Sequence, residues 1–310
     1  MSQHMSELIT ALQSTTMLAA LRTPAFGTRR RDKLAGEEVS SQAGAVASAA
    51  MVSVNLLAGA DEIHQAIMKV QRQARVAFNH ITSTWDDEGW RLLPSALFDR
   101  CMVDVVKPYK PQMEELKERL KDEAPAIIKR AQEGLGDFAA RHILPTAEEM
   151  AAAYDLKVEF QPIPDGSRFQ GLPDKTIEML ARHVENRARA KAEGAMHEPL
   201  ERMTSALEHM LMRLQAYEER EAARNRGEKV GKQGTFKDTL VTNVQELAGI
   251  IAHFNLTGSP GFEEIALKAQ ALSQGIDPAS LRESRNTRNK AIEIGTDLLG
   301  AIRALNPGSK

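Results

Sequence analysis

The sequence predicts a mostly α protein: a multi-helix bundle with a long coiled-coil helix or helical hairpin and at most one short β-hairpin. Three observations predict this fold class. Aromatic residues make up only 5% of the 310 residues, so the core must consist mainly of small and aliphatic side chains and Met, which suits closely packed helices. Apolar residues recur at spacings of three and four over long segments. Only one short segment alternates apolar and polar residues as a strand does.

The N-terminal part is predicted to be helical on both sides of a basic loop. A weakly amphipathic segment with Leu12, Leu18 and Leu21 precedes a loop from Thr23 to Gly36. Helical periodicity resumes near Glu37 and runs to about Thr82, and within it residues 45–58 are predicted to form a helix buried on several sides. The loop carries a compact basic cluster: Arg29, Arg30, Arg31 and Lys33.

A turn is predicted around the two tryptophans of the chain. Trp85 and Trp90 flank three consecutive acids and a glycine, and Pro94 follows, a composition typical of turns. We expect Ser95 to cap the next helix and both tryptophans to be packing anchors. The one strand-like segment is Leu156–Phe160, for which residues 140–144 are the candidate partner.

The strongest pattern is a coiled-coil seam in a segment almost without turn residues, Asp174 to Arg226. Its apolar residues follow one another at spacings of three, four, three, four and three, as the a and d positions of a heptad do. A seam of this kind must pair with its own first half or with another subunit, so we expect a homo-oligomer. Pro199 predicts either a kinked rod or an antiparallel hairpin. The seam residues are Leu200, Met203, Leu207, Met210, Leu214 and Tyr217.

The C-terminal part is predicted to be helical after a charged linker, Gly227–Gly234. The last helix starts at Asp277-Pro278 and carries a second basic cluster: Arg282, Arg285 and Arg288, joined by Lys290. Four consecutive segments follow from these boundaries. They are an N-terminal segment with the basic loop (1–36), a helical domain (37–165), the coiled-coil helix or hairpin (174–226) and a C-terminal helical region (235–306).

Composition and motifs exclude several functions. The net charge is −2, so nucleic acid could bind only through a local patch. The single cysteine, Cys101, has apolar neighbours and is interpreted as a buried small residue. Glu193, His197 and Glu201 would share a helix face, but charged coiled-coil surfaces look the same. We therefore predict no catalytic residues, no metal site and no cofactor, hence no enzyme, and expect no membrane span and a cytoplasmic location.

Four short motifs carry a family resemblance. They are Thr28-Arg29-Arg30-Arg31-Asp32-Lys33, Val54-Asn55-Leu56-Leu57, Trp85-Asp86-Asp87-Glu88-Gly89-Trp90-Arg91-Leu92-Leu93-Pro94 and Phe236-Lys237-Asp238-Thr239-Leu240-Val241-Thr242-Asn243-Val244, in that order. The sequence resembles a family of bacteriophage and prophage proteins of unknown function, often encoded near a MoxR-type AAA+ ATPase and a CobT-like von Willebrand A protein. The resemblance implies an accessory role beside that ATPase in the host bacterial cytoplasm, and it assigns no role to any residue.

Two functional hypotheses follow. The first is a non-enzymatic helical adaptor that binds a protein, either itself or the AAA+ ATPase, and it depends on the seam and on the resemblance. The alternative is a DNA- or RNA-binding protein of phage replication or recombination. It depends on the tryptophan pair and on the two basic clusters, whose arginines and Lys33 are the candidate phosphate contacts.

Overall fold

The computed structural model describes residues 10–164, 171–227 and 237–305. It is 71% helical with ten helices, one of them very long, which confirms the predicted fold class. The described residues also form a four-stranded and a two-stranded sheet, more β structure than the single hairpin that we allowed for. Most of the predicted linker, from residue 228 on, lies outside the described residues.

The first half of the chain contains both strands and helices, and the second half is mainly helical. The strands are β1 (Thr16–Arg22), β2 (Arg29–Asp32), β3 (Val52–Asn55), β4 (Ser83–Thr84), β5 (Arg91–Pro94) and β6 (Lys157–Gln161). The helices are α1 (Lys33–Gln42), α2 (Glu62–Ile81), α3 (Phe98–Cys101), α4 (Lys107–Leu135), α5 (Ala147–Ala152), α6 (Asp174–Asn225), α7 (Asp238–Ile251), α8 (Pro260–Gly275), α9 (Pro278–Glu283) and α10 (Arg285–Leu305).

The larger sheet has the strand order β4-β5-β1-β6. Strands β1 and β5 are antiparallel, with Thr16 opposite Pro94 and Ala19 opposite Arg91. Strand β6 confirms the predicted strand near residue 158, but its neighbour is β1 and not residues 140–144, so that partner was wrong. The smaller sheet pairs β2 with β3 in antiparallel orientation.

The chain divides into two compact units. Unit 1 contains Met1–Ala20, His80–Asp99 and Phe160–Lys310, and unit 2 contains Leu21–Asn79 and Arg100–Glu159. Each unit is therefore assembled from separated segments, whereas the four segments that we predicted are continuous.

The core of unit 2 lies between α2, α4 and α5. The periodic residues of α2, from Ile63 through Ile67 and Val70 to Ala74, are all buried, as their spacing predicts. They pack with one face of α4 and with Tyr154. Helix α4 continues through Pro125, so this proline does not begin a new helix.

The core of unit 1 is built on α6. This helix has 52 residues, so it is about 78 Å long, and it runs through Pro199 without reversing. The structure thus excludes the hairpin alternative. Helices α7 and α10 pack against α6, and α8 packs against α7 and α10. Helix α8 begins at an N-cap, Ser259, whose side chain accepts a hydrogen bond from the backbone N–H of Phe262.

Several local predictions were wrong. The basic cluster lies on a strand and at the start of α1 rather than in a loop, and Leu18 and Leu21 lie in a strand rather than a helix. Residues 45–58 form turns and β3, and most of residues 41–51 are exposed. Ser95 begins a short 3-10 helix whose N-cap is Pro94, so it does not cap a helix. The predicted last helix is interrupted at Ser284, which separates α9 from α10.

Candidate functional site

The predicted seam is the most thoroughly buried stripe of α6. Its first five residues, from Leu200 to Leu214, are at most 1% exposed, and Tyr217 is half-buried. Because α7 and α10 pack against this helix within the same chain, the seam is satisfied intramolecularly. One contact shows how close the packing is: a Cβ on Gly295 of α10 would come within 2.9 Å of the Leu211 side chain. The seam therefore gives no reason of its own to expect a second subunit.

The N-terminal part of α6 carries an apolar stripe of its own, which is less covered than the seam. Ile177, Leu180 and Val184 have the spacing of the seam but are only half-buried, and full burial begins at Ala188. The side chain of Met179, which points away from this stripe, is 62% exposed. We call residues 174–187 the α6 arm; it is about 21 Å long.

Hydrogen bonds and ion pairs join the rest of α6 to the other elements of unit 1. They extend from Met196, which contacts the Thr257 hydroxyl, to Glu221, which pairs with Arg288. In the arm, the ion pair between Arg182 and Glu178 lies within the helix itself. The arm thus differs from the rest of α6 both in apolar cover and in polar attachment.

A polar network holds the tryptophan turn to the middle of α6. Glu198 accepts hydrogen bonds from the Thr84 backbone N–H at 2.6 Å and from Arg91 at 2.8 Å, and Arg202 lies 2.8 Å from the same carboxylate. Burial alone would raise the pKa of Glu198, but these hydrogen bonds and the two guanidinium charges outweigh burial and lower it. Trp85 is buried and Trp90 half-buried, consistent with packing roles.

This network was missed by the sequence analysis. The four-residue spacing of Glu198 and Arg202 could have suggested an ion pair on α6. Nothing in the sequence indicates that Arg91 belongs to this network, because it is 107 residues away from Glu198.

The arginines of the second basic cluster form ion pairs within the protein. Arg288 is 0% exposed; it pairs with Glu218 and Glu221 and lies over the ring of Tyr217, 4.9 Å from its centroid. Its guanidinium also donates to the backbone carbonyls of residues 281 and 282. A buried arginine with this many partners cannot reach a phosphate.

The other two arginines of that cluster are also paired. Arg282, on α9, pairs with Asp238, and Arg285 pairs with Glu218 at 3.1 Å although its side chain is 74% exposed. The three arginines therefore do not form one free basic side, as their spacing had suggested. Their role is to join α9 and α10 to α6 and α7.

The first basic cluster has the opposite character. Arg29, Arg30, Arg31 and Lys33 are all exposed. Arg30 donates to the Gly27 carbonyl at 3.0 Å and lies over the Phe26 ring. All four candidate phosphate contacts in this cluster are therefore accessible to solvent.

A groove of about 990 Å3 lies between α8 and α10. Its lining includes the small residues Gly261, Gly300 and Ala301. Lys268 of α8 lies 3.0 Å from both Glu264 and Asp297. This arrangement ties α8 to α10.

The other polar residues considered from the sequence do not form a metal-binding cluster. Glu193, His197 and Glu201 are exposed on α6. Within the described ranges no group of three or more His, Cys, Asp or Glu side chains is placed to hold a metal ion. Cys101 is buried, and burial raises the pKa of its thiol to about 11, so the thiolate is disfavoured at neutral pH.

No helix among the described residues is both long and apolar enough to cross a membrane. Comparison with known proteins found no matching family model, no similar curated protein and no similar solved structure.

Proposed function

We propose that this protein is a non-enzymatic helical adaptor that binds a partner protein along the α6 arm. The observation that carries the proposal is that apolar residues at helical spacing continue along α6 beyond the helices that cover its seam. A heptad stripe with incomplete cover is the kind of surface that a second helix packs against. Ile177, Leu180 and Val184 supply the apolar contacts in this proposal.

Two partners remain in the proposal. One is a MoxR-type AAA+ ATPase, which depends on the family resemblance and on its implied setting in the cytoplasm of a phage-infected bacterium. The other is a second copy of the chain, so that the arms of two protomers would complete one another. Because the seam is buried within the chain, the homo-oligomer of this proposal forms through the arm.

The test compares two triple variants. In the stripe variant, Ile177, Leu180 and Val184 are changed to Ser. In the control variant, Met179, Arg182 and Asn186, which lie on another side of the same helical turns, are changed to Ser. Light scattering after size exclusion measures self-association of the 34.1 kDa chain, and fluorescence anisotropy measures binding to a purified MoxR-type ATPase.

We expect the parent and the control variant to share one interaction that the stripe variant loses. Self-association that disappears in the stripe variant supports the homo-oligomer, and ATPase binding that disappears supports the ATPase. A parent that is monomeric at micromolar concentration and does not bind the ATPase would contradict the proposal, as would equal losses in both variants.

A further inference from the structure

Strands β2 and β3 form a two-stranded ribbon in unit 2 whose two faces differ in chemistry. Arg29 lies opposite Asn55, and Arg31 lies opposite Ser53. Because side chains alternate along a strand, these four residues share one face. All four are exposed, and we call this surface the ribbon face.

The opposite face of the ribbon is anchored. Val54 is buried there, and Arg30 is held by the Gly27 carbonyl and the Phe26 ring. Asp32 is also buried; its side chain caps α1 by accepting a hydrogen bond from the Ala35 backbone N–H at 2.9 Å. These contacts on the opposite face hold the ribbon in place.

No described residue neutralises the positive charge of the ribbon face. The side chains of Arg29, Arg31 and Lys33 have no hydrogen-bond or ion-pair partner among the described residues. The neighbouring acid in the chain, Asp32, points to the opposite face and is engaged by His142 at 3.1 Å. Glu37, one helical turn beyond Lys33, is the nearest free acid in the sequence.

The neutral residues of the ribbon face add hydrogen-bond donors. The side-chain oxygen of Asn55 accepts from the Leu57 backbone N–H at 3.3 Å, which leaves the amide NH2 group to donate outward. The Ser53 hydroxyl lies across from Arg31. Guanidinium, hydroxyl and amide donors are the groups with which proteins contact phosphate and sugar oxygens of nucleic acids.

We propose that the ribbon face binds the phosphate backbone of nucleic acid. Residues two apart on a strand are about 6.7 Å apart, so Arg29 and Arg31 can reach successive phosphates, each through a two-pronged guanidinium contact. The ribbon face has no aromatic side chain on which bases could stack, and contacts to phosphates carry no sequence information, so binding is independent of base sequence. It has no apolar side chain either, which disfavours a membrane surface as the ligand.

Salt dependence is the signature of this binding. Arg29 and Arg31 of the ribbon face, together with Lys33 two residues farther along the chain, give an expected slope of log affinity against log salt of about −2.7 for duplex DNA and −2.1 for a single strand. Between 50 and 200 mM salt the affinity should therefore fall roughly 20- to 40-fold. The measurement is fluorescence anisotropy with a labelled 20-base-pair duplex and a labelled 20-nucleotide single strand, whose comparison identifies the preferred form.

Matched variants locate the site. Arg29→Gln/Arg31→Gln should lower the affinity at least tenfold at 50 mM salt and reduce the slope to about −1, because only Lys33 remains. Arg285→Gln/Lys290→Gln removes the same charge from the second basic cluster and should leave both values unchanged. Arg29→Lys/Arg31→Lys keeps the charge and should keep most of the slope, which separates loss of contact from misfolding.

Three results would overturn the inference. They are no binding of either nucleic acid at 50 mM salt and 100 µM protein, equal losses in the two Gln variants, and binding to vesicles with anionic lipid but not to nucleic acid. None of these results concerns the α6 arm, which belongs to unit 1, so this inference and the proposed function can fail separately.

Discussion

The two halves of α6 carry the same apolar spacing but differ in how that stripe is used. From Ala188 to Leu214 the stripe is buried, and Glu198 and Glu218 are tied to other elements of unit 1. In the α6 arm, from Asp174 to Arg187, the stripe is only half-buried. Gly194 and Pro199 lie near the junction, and the helix passes through both.

This difference shows that heptad spacing identifies the apolar face of a helix but does not identify what packs against that face. The seam from Leu200 to Leu214 looked like an oligomer interface, yet helices from the same chain cover it. The arm, which has the weaker pattern in the sequence, has the surface that remains for another molecule. Substitutions in the two halves should therefore separate stability from binding.

The largest effect is expected in the covered half. Leu207→Asp would place a carboxylate without a cationic partner in the buried seam, which should lower the free energy of unfolding by on the order of 4 kcal/mol. Thermal and urea denaturation followed by circular dichroism would measure it.

Glu208→Ala is the control for that substitution. Glu208 is the next residue along α6, and its carboxylate pairs with Arg303 at the surface, 2.8 Å away. Exposed pairs of this kind contribute little, so its unfolding curve should stay close to that of the parent. If the two variants unfolded alike, the seam would not be a packed interface.

A moderate effect is expected at the Glu198 network, on the covered side of the junction. Glu198→Gln keeps the shape but removes the charge shared by Arg91 and Arg202, and it should cost about 1–3 kcal/mol at pH 7. The pKa of Glu198 is below its ordinary value of 4.5 in the folded state, so its contribution is present above that value and is lost as the pH falls through the folded pKa.

Measurements at several pH values test the direction of this change in stability. Urea denaturation of the parent and of Glu198→Gln at pH 7, 5, 4 and 3 should show a stability difference that shrinks toward low pH. Other carboxylates titrate in both proteins and cancel in the comparison. A difference that stayed constant from pH 7 to pH 3 would show that the charge of Glu198 contributes nothing.

The smallest effect is expected near the junction, at Gly194. Gly194 is an exposed helical residue, and a Cβ added there meets nothing within 4 Å, so Gly194→Ala should stabilise the protein by about 0.5–1 kcal/mol. Gly295→Ala is the matched substitution on α10, where the Leu211 side chain would have to shift. It should be less stabilising than Gly194→Ala. Equal melting temperatures of the two variants would contradict the difference in packing.

The helices were predictable where one face of a long segment is apolar. Ile63 to Ala74 and Leu200 to Leu214 repeat at helical spacing, and the structure buries both sets. Strand β1 was missed because its burial does not alternate: Leu18, Ala19 and Ala20 are all buried, and such a short apolar run looks the same in a strand and in a helix. Its neighbour β5 lies more than 70 residues away in the sequence.

The basic clusters show the same limit for functional residues. Arg288 and Arg31 both looked like surface arginines, since nothing nearby in the sequence distinguishes them. Arg288 is buried because Glu218 and Glu221, about 70 residues earlier, lie beside it in the folded chain. Only Glu37 follows closely enough to pair locally with the first cluster, so its exposure is a property of the fold rather than of the sequence pattern.

The division of each unit into separated segments has a consequence for synthesis. All of unit 2 has been translated once residue 159 is made, whereas unit 1 still lacks the whole of Phe160–Lys310 at that point. Segments 1–20 and 80–99 of unit 1 therefore emerge from the ribosome well before α6, against which β4 packs. Unit 2 can fold while translation continues, and those two early segments must stay out of aggregates until the last helices arrive.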